Sequence, residues 1–364
     1  MKKLLFAAYD MNIGGIETSL LTLLNYLADK QYDITLVLEK KQGKFLNDLN
    51  SNINVIEYNP SENRIFFIRK ILNLFKRFAF ILKHKNKYDF SASFATYSYV
   101  GSFIARSAST NNALWCHADY LELFKNDKKK VKEFFEKLHC REFKNIIFVS
   151  NEASKTFIQV YPELKQKVVF CNNLIDYKKI LELSKEKITE VKNTYTFVNI
   201  GRHDELQKKL TRIIEASKML KKDNLNFKVL FIGEGKDTNL YKQLVEKYNL
   251  QDKIEFLGAK KNPYPYMKLA DTVLLTSDYE GYPVVFIEAL ILNKPIITTD
   301  VSDAMQDINN KYGKVIKKDE NELYLAMKEF IQNGYEIEEK FDPEKYNKEV
   351  GGQAVLGRQD LITT

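Results

Sequence analysis

Ser277-Asp-Tyr-Glu-Gly-Tyr-Pro-Val-Val-Phe-Ile-Glu-Ala-Leu290 is the stretch on which the fold turns. The apolar run Thr272–Leu275 before it reads as a strand buried on both faces, and residues 284–292 read as the helix that follows. A strand passing within a few residues into a helix is the unit from which parallel sheets are built. The spacing leaves Glu280 in the connecting loop, puts Pro283 near the first helical position and sets Glu288 about one turn inside. A helix start at the carboxyl end of a parallel strand offers unpaired N–H groups and a positive dipole end, which suits a phosphate. Two carboxylates beside it suit the hydroxyls of a sugar. Taken alone, the pair fits a capped surface helix with two solvated acids equally well, so the rest of the chain has to decide.

Outward from this stretch, strand-like and helix-like segments alternate. Strands are expected at 4–8, 34–39, 53–58, 89–94, 113–117, 145–149 and 168–171 in the first half. A second series falls at 195–200, 227–232, 253–256, 272–275 and 295–298, with helices at 210–222, 239–248 and 284–292 between. The chain therefore reads as α/β, with two doubly wound domains in tandem: 1–176 and 190–340, joined by a helical link around 178–187. Residues 350–364 contain no lysine, although lysine is abundant before them, and are expected to be a disordered tail or non-native remnant.

A hydrophobic content of 45% over 364 residues is enough for two cores, and no apolar run reaches the roughly 20 residues a membrane span needs. Residues 1–8 open like a signal peptide but are interrupted by Asp10, Asn12 and Gly14-Gly15, so they read as a first strand. Cys116, Cys140 and Cys171 are odd in number and irregularly spaced, which speaks against disulfides or a zinc site and for a reducing cytoplasm. The net charge of +8 is uneven: residues 1–175 carry 26 Lys and Arg against 17 Asp and Glu, whereas residues 176–364 carry 30 against 31. The first half alone is expected to meet an anionic partner.

Three further places could carry chemistry. Gly14-Gly15-Ile-Glu17 opens the first helix, where glycine permits a close backbone approach, although many such turns only connect. Asn199-Ile-Gly-Arg202 ends a strand and leads to Lys208-Lys209; a guanidinium fork and a mobile ammonium there could neutralise a diphosphate, or could be two surface cations. Phe231-Ile-Gly233-Glu-Gly235 ends another strand in a flexible turn.

The ordered set is more specific than its members. Gly-Gly-Ile-Glu at 14–17, Asn-Asn-Leu-Ile-Asp at 172–176, Gly-Arg at 201–202, Lys208, Phe-Ile-Gly-Glu-Gly at 231–235, Phe-Leu-Gly at 256–258 and Glu-Gly-Tyr-Pro-x4-Glu-Ala at 280–289 resemble the retaining glycosyltransferases of family 4 over roughly residues 4–340. The resemblance implies a GT-B fold, two Rossmann-like doubly wound domains facing each other across a cleft. It implies transfer of a sugar from a nucleotide-sugar donor, with UDP the default nucleotide, to a glycan or lipid-linked acceptor. Arg202 and Lys208 would meet the donor diphosphate, Glu280 the transferred sugar and Glu288 the ribose. Backbone at Gly233, Gly281, Tyr282 and Val284 would line the donor, with Gly14 and Gly15 in the first domain's loop closing over it. His117, at the end of the Trp115-Cys-His-Ala-Asp119 strand, resembles a histidine placed near the sugar. The family's usual Lys-Gly is Lys208-Lys209 here, so Lys209 is a rival for the phosphate role. No Asp-x-Asp pair occurs, and a metal-independent reaction without cofactors is expected. Within the same fold, a sugar-nucleotide epimerase, a phosphorylase or a non-catalytic partner subunit are the alternatives.

Residues 64–87 hold eight Lys and Arg and no acid, with Arg69, Lys70, Lys76, Arg77 and Lys83 at roughly helical intervals among Phe, Ile and Leu. The pattern fits a helix lying on an anionic membrane, and equally a domain helix with solvated cations. Lys128–Lys132 adds a second basic patch. No recognition module accompanies the charge, so nucleic acid is not expected as a partner. The expected location is the cytoplasm, peripheral on the inner face of the cell membrane, in the synthesis of a surface polysaccharide or glycolipid.

Overall fold

The computed structural model of the chain describes residues 1–281, 283–301 and 311–346. Two compact units divide it, residues 1–174 and 175–346, so the tail 350–364 and Tyr282 lie outside the described residues.

In the first unit, Leu4 to Ala7 have no polar side-chain atom to satisfy and are completely buried in strand β1 (Lys3–Ala8). A strand apolar at consecutive positions needs cover on both faces, and the topology supplies it. Helix α1 (Gly15–Asp29), β2 (Asp33–Leu38), β3 (Asn54–Glu57), α2 (Phe66–His84), β4 (Phe90–Ser93) and α3 (Tyr99–Ala108) follow. Then come β5 (Asn112–Cys116), α4 (Tyr120–Leu123), α5 (Lys128–Lys137), β6 (Asn145–Phe148), α6 (Asn151–Val160) and β7 (Val168–Phe170). The seven strands are parallel in the order β3-β2-β1-β4-β5-β6-β7. All three cysteines are buried, and none forms a disulfide among the described residues.

The second unit begins at Ile175, earlier than the 190 expected, because Ile175, just before α7 (Tyr177–Leu183), and Ile180 on that helix are buried in its core. Its elements are β8 (Tyr195–Ile200), α8 (Thr211–Lys222), β9 (Phe227–Ile232), α9 (Thr238–Lys247), β10 (Ile254–Gly258) and α10 (Tyr264–Leu269). They continue with β11 (Thr272–Leu275), α11 (Val284–Ile291), β12 (Ile296–Thr299), β13 (Gly313–Ile316) and α12 (Glu320–Asn333). The strands are again all parallel, in the order β10-β9-β8-β11-β12-β13. The period of two sorts their side chains cleanly. Phe197, Val229, Phe231, Leu274 and Ile297 pack with Ile213, Tyr241, Met327 and Phe330 from α8, α9 and α12. The alternate residues Val198, Leu230, Ile232, Val273 and Leu275 pack with Ile180, Met267, Phe286 and Ala289 from α7, α10 and α11.

Helix α2 breaks the pattern. Phe80 and His84 are its only buried residues, held by stacking at 4.6 Å and by Tyr58 and Phe103. Phe67, Ile71, Leu74, Phe75, Phe78 and Leu82 are exposed, Phe67 at 74% and Leu82 at 67%. At about 100° per residue these six share an arc of roughly 100° on the side away from Phe80 and His84. No described helix is long and apolar enough to cross a membrane.

Candidate functional site

Both sheets read 3-2-1-4-5-6 from one edge, so the chain reverses direction beside the first strand of each. In open α/β sheets this reversal opens a crevice at the carboxyl ends of the two central strands, where ligands bind. In the second unit those strands are β8 and β11, and the sequence-selected residues gather where they end.

Strand β8 runs out at Ile200 and turns through Gly201 and Arg202. Gly233, ending β9, sits at φ +143° with Gly201 against it, and a Cβ there would come within 1.8 Å of the Gly201 carbonyl oxygen. This position therefore requires glycine. The next segment is stitched to β11. Thr276 Oγ1 donates to the carbonyls of Lys208 at 3.0 Å and Lys209 at 3.2 Å, and the Asp278 amide donates to Gln207 at 2.8 Å. Arg212, in the first turn of α8, donates to the Thr276 carbonyl at 2.7 Å and pairs with Asp278 at 2.6 Å.

With its backbone so fixed, Lys208 places Nζ 2.5 Å from Glu280 Oε1, an oxygen that also accepts from Ser277 Oγ at 2.5 Å. Gln207 makes a longer contact of 3.5 Å to the other oxygen. The pair is mostly withdrawn from solvent, with side chains 17% and 9% exposed. A desolvated ion pair adds little net stability, so it is better understood as preorganised charge than as a fold-holding contact. Lys209 turns elsewhere, toward Glu205 at 3.5 Å and Asp278 at 4.0 Å, which leaves Lys208 as the cation on Glu280. Arg202 is exposed and makes no ion pair among the described residues.

Helix α11 starts at Val284, with Pro283 as an extended N-cap one residue earlier than the position expected for it. Its first amides, at Val284 and Val285, precede any partner the helix could give them. Gly281 lies in the loop before it. Glu288 sits one turn in and is buried; its Oε1 accepts from the Tyr264 hydroxyl at 2.9 Å. Burial pushes its carboxyl up to about 7, and the Tyr264 hydrogen bond only partly opposes that.

In the first unit the central strands are β1 and β4. The segment after β1 reaches Gly14, an extended N-cap with no side-chain cap, and α1 starts at Gly15, where a Cβ would meet nothing within 4 Å. Glu17 in that first turn accepts from Tyr97 Oη at 2.6 Å. His117 follows β5; its Nε2–H donates to the Phe94 carbonyl at 2.8 Å, and the ring packs on Phe94. Burial lowers its pKa to about 4, so it stands as a neutral imidazole.

On α2, Arg69, Lys70 and Lys83 are exposed, whereas Lys76 is half-buried and donates to the Asn59 carbonyl. Arg77 lies over the Phe103 ring at 5.1 Å.

Residues 13–179 match the family described as glycosyltransferase family 4, and residues 182–348 that described as glycosyl transferases group 1. The chain belongs to this glycosyltransferase family and has its GT-B fold. An uncharacterized glycosyltransferase of Methanocaldococcus jannaschii is 28% identical over 251 residues, 67% of this chain and 61% of the relative, so the chain spans somewhat under two thirds of that protein. The amylovoran biosynthesis glycosyltransferase AmsD of Erwinia amylovora is 24% identical over 86% of this chain and 85% of its own. Among solved structures, Anabaena HepE in complex with UDP and glucose superposes with a TM-score of 0.76 at 17% identity, covering 100% of this chain and 99% of that one.

Three side chains of this glycosyltransferase carry no signal in its sequence. His203 is fully buried, and its hydrogen bond through Nδ1 to Thr238 Oγ1 at 2.9 Å ties the segment after β8 to the start of α9. Arg212 and Tyr264 act on the site only through tertiary contacts. An Arg four residues after Lys208 is ordinary helix surface until the end of β11 is known to lie beneath it.

Proposed function

We propose that the chain is a retaining hexosyltransferase that moves a sugar from a nucleotide-sugar donor, a UDP-sugar by preference, to a glycan or lipid-linked acceptor. The observation that carries this reading is the Lys208–Glu280 pair at the β8–β11 reversal, with the exposed guanidinium of Arg202 on the same strand end. Breaking the anomeric bond builds positive charge on the sugar and negative charge on the leaving diphosphate. Glu280 answers the first, fixed by Ser277 and Lys208; Lys208, Arg202 and the start of α11 answer the second. Charges already oriented and poor in water need little reorganisation at the moment of reaction. Neutralising the diphosphate with these two cations instead of a divalent ion belongs to the proposal, and activity unaltered by a chelator is its expected consequence. Acceptor attack on the face the diphosphate leaves retains the anomeric configuration. His117, as a neutral donor, is assigned to the sugar, and Gly14 and Gly15 to a close backbone approach. The complex of HepE with UDP and glucose supports the choice of nucleotide, and the amylovoran role of AmsD supports a surface-glycan product.

Attachment to the inner face of an anionic membrane is the second part of the proposal. Six exposed apolar side chains share one face of α2, with Lys70 and Arg77 toward one border and Lys83, beyond the exposed Ile68 and Leu72, toward the other. The experiment for the enzymatic part is a thermal-shift and hydrolysis screen over UDP-, GDP-, ADP- and CMP-sugars. Stabilisation and slow hydrolysis by one nucleotide class is expected; indifference to all of them sinks the reading.

A further inference from the structure

Glu288 and Tyr264 form a polar pair inside an otherwise apolar wall. Around them, Ile180, Met267, Phe286, Ile287 and Leu290 belong to one hydrophobic cluster, against which Tyr264 packs. A carboxylate in such a place is costly unless a ligand or a partner needs it. Tyr264 is brought there by an independent device. Asn262 accepts from the Tyr264 amide at 3.2 Å through Oδ1 and donates to the Leu183 carbonyl at the end of α7 at 2.9 Å through Nδ2, so α10 starts at a fixed place. Among the described residues the Glu288 carboxylate has no other hydrogen bond.

We propose that Tyr264 is the positioning residue for the nucleotide end of the donor site, fixing one oxygen of Glu288 so that the other is left for ribose hydroxyls. The proposal rests on the reading of Glu288 as the ribose ligand. Its consequence is a donor affinity that depends on pH near neutrality. Burial holds the free carboxyl at about 7, and a ribose hydroxyl donates more strongly to the ionised form than to the acid. Tyr264 opposes the effect of burial. The titratable groups facing the pair are Tyr264 itself, from α10, and Asp176, at the start of α7, whose charge acts on the tyrosine. Helix α11 contributes no other titratable side chain. Burial beside Glu288 holds the phenol well above its usual range, so it remains a donor throughout.

The test is calorimetric binding of UDP, GDP and ADP between pH 6 and 9 to the full chain, comparing wild type, Glu288→Gln, Tyr264→Phe and the double variant. Glu288→Gln supplies the nucleotide's own titration, to be subtracted. Relative to it, wild-type binding should tighten about tenfold from pH 6 to pH 8.5, the difference between a neutral and a charge-assisted hydrogen bond. Tyr264→Phe should move the midpoint upward, weakening binding several-fold at pH 7 yet coming within twofold of wild type at pH 9. In the Glu288→Gln background it should add nothing. A Tyr264→Phe profile that overlays wild type, or a uniform loss at every pH with a lowered melting temperature, overturns the proposal. Glu288→Gln binding as tightly as wild type at pH 8.5, or no nucleotide binding at all, overturns the underlying ribose reading instead.

Discussion

The two units share a strand order and differ in where they keep their charge. At the β8–β11 reversal the second unit sets Lys208 against Glu280, 72 residues further along the chain, with Arg202 at the end of β8, inside a half of the chain that is nearly neutral. At the β1–β4 reversal the first unit offers backbone at Gly14 and Gly15, with a neutral His117 after the neighbouring strand β5, while exposed cations such as Arg69, Lys70 and Lys83 lie on α2. The same scaffold thus presents oriented charge in one copy and an open backbone with a charged exterior in the other. Topology designates the place; the side chains at the strand ends decide what it can do.

The sharpest way to break this contrast is to remove the inner cation. Lys208→Ala should lower turnover about a thousandfold, the scale of losing one preorganised charge-stabilising donor, whereas Lys209→Ala should change it less than threefold. Steady-state rates on the donor identified by the screen check both. A comparable loss from Lys209→Ala would move the phosphate role to the neighbouring residue.

Next in size is the backbone on which the site stands. Gly233→Ala must displace the Gly201 carbonyl and hold an alanine at φ +143°, at a cost of about 3 kcal/mol. Urea denaturation should show it, and Gly15→Ala, where space is open, should cost under about 1 kcal/mol.

For the outer charge, Phe67→Asp with Phe75→Asp should reduce partitioning onto anionic vesicles about a hundredfold, since each ring contributes about 1.5–3 kcal/mol when buried. Both rings are exposed, so the melting temperature and donor hydrolysis in solution should hold. Vesicle sedimentation at two salt concentrations reads the cationic share, about 1 kcal/mol per border residue.

The last effect, confined to high pH, concerns Glu288. Its folded carboxyl holds a proton until about pH 7, whereas the unfolded chain releases it near the ordinary glutamate value. Between those values the folded state binds more protons, so stability falls as pH rises from about 4.5 to 7. Glu288→Gln should remove that slope and make the protein more stable than wild type at pH 8, by at most about 3 kcal/mol, with little difference at pH 5. Thermal melts at the two pH values check this.

Much of this was legible in the chain. Buried parallel strands announce themselves as short apolar runs, so Leu4–Ala7 and Val273–Leu275 could be placed from residue type alone. Residues close in sequence to a strand's end, such as Arg202 and Glu280, could be assigned to a site because topology carries strand ends together. Strand β13 and helix α12 were not anticipated: Gly313-Lys-Val-Ile316 is short and half polar, and only its pairing with β12 makes it a strand. Tyr264 and Arg212 were invisible for a related reason, since each touches the site through partners 24 and 64 residues away. The exposure of α2 could not be read either, because its apolar residues fit a packed helix as well as a lipid-facing one.

The central claim is that Glu280, held by Lys208 and Ser277, meets the sugar that is transferred. It is tested most directly by comparing sugar transfer and nucleotide affinity of Glu280→Gln with wild type. Turnover at least a hundredfold lower with nucleoside diphosphate affinity within a few-fold is the predicted result; transfer at a near-normal rate would contradict the account.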